Sequence, residues 1–133
     1  MIRAVIDTNV IVAAMLSPHS DSATVRVLAA IVDGQVEALV SSDILSEYRE
    51  VLARGKFGFS AERVAPVLRI FEQFGKTTLP KHSDTLMPDE KDRVFYEVAL
   101  AEPNAHLVTG NLKHYPVSPM VITPAQFCEL LGI

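Results

Sequence analysis

Ala4-Val5-Ile6-Asp7-Thr8-Asn9, near the start of the chain, places a carboxylate at the end of a continuous apolar run. A run without polar alternation is typical of a strand covered on both faces, as in the middle of a parallel sheet. A charged side chain is tolerated there just past the carboxyl end of the strand, where open α/β sheets form their ligand crevice. The stretch therefore predicts a parallel α/β sheet and makes Asp7 a candidate site residue.

The composition is that of one ordinary globular domain. Hydrophobic residues make up 49% and charged residues 21% of the 133 residues, which excludes the disordered and fibrous classes. A chain of this length can bury a substantial core, so we expect a single domain over residues 1–133. The longest apolar stretches, at 10–16 and 27–32, fall short of the ~20 residues needed to span a bilayer.

Cysteine use and the first residues indicate a cytoplasmic protein. The lone Cys128 excludes an internal disulfide and suits a reducing compartment. No basic region with a small-residue cleavage site precedes the first predicted strand. We therefore expect a cytoplasmic location and no membrane partner.

The charge balance excludes a passive nucleic-acid binder. Sixteen acidic and 12 basic residues give a formal net charge of −4, so the whole chain lacks the basic footprint of such proteins. A polyanion would have to bind to a local basic patch or to metal ions. An acidic protein of this kind can still attract a basic partner chain.

Strands and helices alternate along the chain. Apolar runs predict strands at 3–6, 36–40, 77–79, 106–109 and 121–122. Helical spacing and capping residues predict helices at 22–32, 43–54, 60–74 and 89–101, a short helix to residue 16 capped by Thr8-Asn9, and a terminal helix from Thr123-Pro124. Pro66 fits its helix only in the first turn or at a bend. Repeated β-α units favour a three-layer α/β/α sandwich with a central parallel sheet.

Three acidic residues occupy related positions in this frame. Asp7 follows the first strand, and Glu47 lies early in the helix after the second strand, at the edge of its apolar face. Asp92 is followed by apolar residues at i+3, i+4 and i+7, which places it on the inward side of its helix. Asp89 lies one turn earlier on the same side, and Asn111 follows the strand that ends at 109.

If these strands are parallel neighbours, the three carboxylates converge at one end of the sheet. Carboxylates about 6 Å apart repel by roughly 3 kcal/mol per pair at an effective dielectric of 20. The sum, ~8 kcal/mol, is comparable to the stability of a small domain. Protonation of one acid could offset it, but oxygen ligands in an open, hydrated cleft are the preferred environment of Mg²⁺ or Mn²⁺. Metal-assisted hydrolysis of a phosphodiester is the reaction class that this arrangement favours.

Four blocks of sequence carry a resemblance to a known family. They are Val5-Ile6-Asp7-Thr8-Asn9, Ser46-Glu47-Tyr48-Arg49-Glu50-Val51-Leu52, Asp89-Glu90-Lys91-Asp92-Arg93 with the following Ala99, and Val108-Thr109-Gly110-Asn111. In this order and spacing they resemble the PIN-domain ribonucleases, and most closely the toxin components of bacterial toxin–antitoxin pairs. The resemblance runs from Arg3 to about Ile122. It implies an α/β/α fold, dependence on Mg²⁺ or Mn²⁺, cleavage of RNA, frequent dimers, and inhibition by a small antitoxin protein.

The resemblance also implies roles for individual residues. Asp7, Glu47 and Asp92 match the first three acids of the family, which would hold the metal and orient the attacking water. Thr8 or Asn9 would support that water or the phosphate. The fourth family position, commonly Asp, is Asn111 here; an amide brings no charge, which favours one ion over two.

Several of these residues have a simpler alternative role. Asp89 is either a ligand that supplies the missing charge or the N-cap of its helix. Thr8-Asn9 is either part of the site or only a helix cap. Lys113 and His114 follow Asn111 and are candidate contacts to RNA phosphate, with an ordinary solvated loop as the alternative.

Two rival functions remain open at this point. A phosphatase of the haloacid dehalogenase type also uses an Asp after its first strand, but it requires a second Asp two residues later, where this chain has Asn9. Alternatively, with Asn111 in place of an acid, the chain is a catalytically weak module that binds RNA or protein.

Overall fold

The computed structural model describes all 133 residues, and its centre is a five-stranded sheet. The strands are β1 (Ile2–Ile6), β2 (Val36–Val40), β3 (Lys76–Thr77), β4 (His106–Val108) and β5 (Val121–Ile122). Every neighbouring pair is parallel, and the strand order is β3-β2-β1-β4-β5. The predicted parallel sheet is therefore confirmed.

Six α-helices connect and flank the strands. They are α1 (Thr8–Leu16), α2 (Ala23–Val32), α3 (Ser42–Leu52), α4 (Ala61–Phe74), α5 (Arg93–Leu100) and α6 (Pro124–Leu131). A core of 30 buried hydrophobic residues joins helices and sheet, and the α/β/α class predicted from the sequence is confirmed. No helix is long and apolar enough to cross a membrane.

The strand order creates one crevice at the middle of the sheet. From β1 the chain moves outward to β2 and β3, and then returns to the other side of β1 to form β4 and β5. Connections leave the carboxyl ends of β1 and β4 in opposite directions, which is where open α/β sheets bind ligands. Asp7 follows β1 at this point and Thr109 follows β4.

Several predicted boundaries need correction. The short strand β3 lies at Lys76–Thr77, one residue before the predicted segment, and Leu79 is 86% exposed. Helix α4 continues through Pro66, which lies in its second turn rather than its first. The predicted terminal helix is confirmed: Thr123 caps α6 in a capping box with Gln126.

The predicted helix at 89–101 is divided in two. A 3-10 turn covers Glu90–Asp92, and α5 begins only at Arg93. Asp89 caps the turn by accepting a hydrogen bond from the Lys91 backbone N–H at 3.1 Å. Asp92 thereby becomes the N-cap residue of α5, although its side chain makes no capping hydrogen bond. Its carboxylate therefore lies beside the amino terminus of α5 without capping it.

Candidate active site

Asp7 is held in a fixed orientation at the carboxyl end of β1. It is 5% exposed, and its backbone N–H donates to the Val108 carbonyl at 2.9 Å. Its Oδ2 accepts hydrogen bonds from the hydroxyls of Thr109 and Tyr115, each at 2.9 Å. No side chain donates to the other oxygen, Oδ1. Burial raises the pKa of Asp7 above its ordinary value; these two hydrogen bonds, and weaker ones from the backbone N–H groups of Thr8 and Asn9, oppose the rise.

Asn9 joins the ends of β1 and β4. Its Oδ1 accepts from the Gly110 backbone N–H at 2.9 Å, and its Nδ2 lies 3.3 Å from the Thr109 hydroxyl and 3.4 Å from Asp7 Oδ2. The interpretation of Thr8-Asn9 as the cap of α1 is wrong, because the N-cap position is Asp7 and no side chain caps the helix. Thr8 is buried, and its hydroxyl has no hydrogen-bond partner.

Asp92 is the second acid of the crevice, and its charge is poorly compensated. Its side chain is 15% exposed, and Oδ2 is buried without a hydrogen-bond partner. Burial and then the charge of Asp7 raise the pKa of Asp92 to about 6; His114 opposes the rise, while Asp89 and Glu47 add to it. The fold therefore brings Asp7, Glu47 and Asp89 near enough to repel Asp92.

The Asn111 side chain is committed to the loop that carries it. Its Oδ1 accepts from the Lys113 backbone N–H at 3.2 Å and caps a 3-10 turn at Leu112–His114. Its Nδ2 lies 2.9 Å from His114 Nε2. Since an amide nitrogen only donates, Nε2 accepts and the proton of a neutral ring lies on Nδ1. That Nδ1 is 3.5 Å from Asp92 Oδ2, too long for a good hydrogen bond.

A family model described as PIN domain matches residues 3–113, which is most of the chain. The chain belongs to the PIN-domain family. PIN domains are generally nucleases and generally bind divalent metal ions, so this chain is at a coarse level a nuclease-type hydrolase. No curated protein matches it. The family assignment removes the phosphatase alternative.

The donor set of this PIN domain suits a hard divalent cation. No three acidic, histidine or cysteine side chains lie close enough together to form a ready-made metal site. However, the crevice offers oxygen ligands: a buried carboxylate oxygen of Asp92 without a hydrogen-bond partner, and the Oδ1 of Asp7, to which no side chain donates. The sole ion-pair partner of these acids is His114. Oxygen donors with excess negative charge are the environment that Mg²⁺ or Mn²⁺ prefers.

Sequence reasoning missed two residues of this PIN-domain crevice. Thr109 is fully buried and Tyr115 is 3% exposed, and both donate to Asp7. Thr109 follows an apolar strand, and this position at the strand end could have identified it as a site residue. Tyr115 follows Lys113-His114 in a polar loop, and no periodicity marks it as buried. Tyr48 is also fully buried, and its hydroxyl donates to the Ile6 carbonyl.

Asn9→Ala is expected to destabilise the PIN domain by about 1–2 kcal/mol, because the Gly110 N–H and the Thr109 hydroxyl lose a partner. Urea unfolding at pH 7 measures the change. Gln73→Ala, which removes an exposed amide from α4, is the control and should leave stability nearly unchanged. Equal unfolding midpoints for Asn9→Ala and Gln73→Ala would show that the bridge between β1 and β4 contributes nothing.

Proposed function

We propose that this PIN domain is an Mg²⁺- or Mn²⁺-dependent endoribonuclease in which Asp7, Glu47 and Asp92 hold the ion. The observation that carries the proposal is the state of Asp92. Its buried oxygen lacks a partner, and its pKa is raised to about 6 by burial and by the charge of Asp7. Such a carboxylate is costly without a compensating cation and is a favourable ligand for one.

The side chains of the crevice would position the ion and the attacking water. A bound ion would lower the pKa of a coordinated water and stabilise negative charge on the phosphodiester. Asp7 presents Oδ1 because its Oδ2 is occupied by two hydroxyls. Glu47 would reach the ion from α3, and Asp92 from the amino end of α5. Thr8 is the candidate to support the water or phosphate, since its hydroxyl is free whereas the Asn9 amide bridges the strands.

One ion is favoured over two. Asn111 brings no charge, and its side-chain oxygen already accepts from the Lys113 backbone N–H. Asp89 also has a structural role, because its Oδ1 caps the turn before α5. Only the remaining Oδ2 of Asp89 is available as a further ligand. A second hard cation would therefore find fewer charged oxygens than the first.

The substrate is RNA, and exposed residues of the 3-10 turn at Leu112–His114 are the candidate contacts to phosphate. Lys113 is exposed, and the side chain of His114 is 46% exposed. Both follow β4, whose end lies beside Asp7. A cationic side chain at this rim would partly offset the net charge of −4, which otherwise repels a polyanion.

We further propose that the protein is the dimeric toxin of a toxin–antitoxin pair. The family resemblance supports this role, and a net charge of −4 suits a basic antitoxin chain. The reading frame next to its gene should then encode a small protein that inhibits cleavage when mixed with this chain. A solitary gene would leave a nuclease without an antitoxin.

RNA cleavage by the chelator-treated protein is expected to fall to background and to return with Mg²⁺ or Mn²⁺. Oxygen-ligand sites hold Ca²⁺ in a looser geometry, so Ca²⁺ should restore much less activity. Fragmentation of a labelled single-stranded RNA, followed over time on a gel, measures each rate. Full activity in excess chelator would disprove metal dependence.

The catalytically weak binding module is retained as a second candidate because of Asn111 and the absence of a ready-made three-ligand cluster. In that case the protein would bind RNA with the same affinity in chelator and in Mg²⁺, and the RNA would remain intact. The cleavage assay above therefore separates the two functions.

A further inference from the structure

Tyr115 is a buried phenol whose hydroxyl faces the first acid of the crevice. It lies beyond residues 3–113, which are the part of the chain that the family model matches. Its side chain is 3% exposed, and its hydroxyl donates to Asp7 Oδ2 at 2.9 Å. Asp7 and Tyr115 are 108 positions apart in the sequence, so this contact exists only in the folded chain.

The loop after β4 directs Tyr115 inward. Asn111 caps the 3-10 turn at Leu112–His114, and the Tyr115 N–H closes it on the Leu112 carbonyl at 3.2 Å. Tyr115 itself is extended, with φ −125° and ψ 157°, as expected for a residue that precedes a proline. The switch from turn to extended backbone buries Tyr115 while Lys113 and His114 stay exposed.

The Tyr115 hydroxyl is one of two strong donors to the same carboxylate oxygen. Thr109 is the other, and its hydroxyl also accepts from the Asn111 backbone N–H at 3.1 Å. A phenol carries its proton near neutral pH, so the Tyr115 hydroxyl acts as the donor to the Asp7 carboxylate. With Oδ2 held from two sides, Asp7 can offer only Oδ1 to a ligand.

We propose that Tyr115 is a positioning residue that fixes the Asp7 carboxylate for metal binding. The inference rests on the proposed function and deepens it. Groups that hydrogen-bond to a metal ligand fix its orientation, and their loss typically weakens metal affinity or activity 10–100-fold. A simpler role, filling the core with an aromatic ring, would be served equally well by phenylalanine.

Tyr115→Phe therefore separates the two roles, because it removes the hydroxyl and keeps the ring. The dissociation constant for Mn²⁺, measured by calorimetry at fixed pH, is expected to rise about 10-fold. Cleavage should be impaired at low Mn²⁺ and largely recovered at saturating Mn²⁺. Tyr96→Phe is the matched control: Tyr96 is 7% exposed on α5 and donates to none of the acids, so Mn²⁺ binding should be unchanged.

The outcomes distinguish the inference from the proposed function. Equal Mn²⁺ affinity in wild type and Tyr115→Phe overturns the positioning role and leaves the metal-dependent nuclease intact. A wild-type protein that neither binds Mn²⁺ nor cleaves RNA overturns both. If Tyr115→Phe is unfolded without metal, both proteins are measured in an osmolyte concentration that refolds the variant, since osmolytes excluded from the protein surface favour the folded state. A Mn²⁺ dissociation constant about 10-fold above that of wild type in the same solution supports the role, and an equal one overturns it.

Discussion

Asp7→Asn is expected to lower the rate of metal-dependent RNA cleavage by at least about 100-fold. The asparagine oxygen can replace Oδ2 and keep the hydrogen bonds from Thr109 and Tyr115. Its NH₂ group must then occupy the place of Oδ1, because an amide nitrogen cannot accept those hydrogen bonds. The ion would thus meet two N–H hydrogens instead of an anionic oxygen. Initial rates at saturating Mg²⁺ measure the loss.

The fold should tolerate this change. Because Asp7 is a buried carboxylate with a raised pKa, its replacement by a neutral isostere removes an unfavourable charge and keeps the shape. Asp33→Asn is the matched control, since Asp33 is exposed between α2 and β2, at the opposite end of the sheet. It should retain wild-type activity. An Asp7→Asn protein with more than half of the wild-type rate would disprove the role of this carboxylate.

The sheet and the position of Asp7 could be predicted from the sequence because both depend on local pattern. A continuous apolar run followed by an acid indicates a buried strand that ends at a site, and β1 with Asp7 has this form. The strand order could not be predicted. It depends on pairing between distant segments, such as Ile6 with Val108, and many orders satisfy the same alternation of strands and helices.

The sequence-based prediction for the region around Asp92 was correct in part. The apolar residues at helical spacing correctly predicted that this acid faces inward, and its side chain is 15% exposed. The predicted helix start was wrong because Asp89 caps a separate 3-10 turn and delays α5 until Arg93. Capping signals in the sequence indicate that a turn begins, but they do not distinguish a 3-10 turn from an α-helix.

The hydroxyls around Asp7 could not be predicted from pattern at all. Burial of Tyr115 depends on the backbone change between the 3-10 turn and Pro116, and its partner is 108 positions away in the sequence. A tyrosine in a polar loop is more often half-exposed. Contacts of this kind follow from tertiary structure alone.

Asp92→Asn is expected to stabilise the metal-free protein at pH 7 by about 1–3 kcal/mol while it abolishes cleavage. The pKa of Asp92 in the folded chain is about 6, above its ordinary value of 3.8, chiefly because the side chain is buried. The folded state therefore binds this proton more tightly than the unfolded state does. Wild-type stability should rise as pH falls from 7 toward 4, and the advantage of Asp92→Asn should disappear over the same range. Urea unfolding at several pH values measures both curves.

Bound metal should make wild type more stable than Asp92→Asn, the reverse of the order expected without metal. At a concentration 100 times the dissociation constant, an ion that binds only the folded state adds about 2.7 kcal/mol; wild type should gain this and Asp92→Asn should not. Asp33→Asn is the control for the removal of one exposed charge, and its stability should equal that of wild type both in chelator and with metal. If Asp92→Asn were instead less stable than wild type in chelator at pH 7, its carboxylate would be a favourable structural group. A carboxylate that costs stability until a cation arrives is the signature of a binding site, because selection for folding alone would replace it.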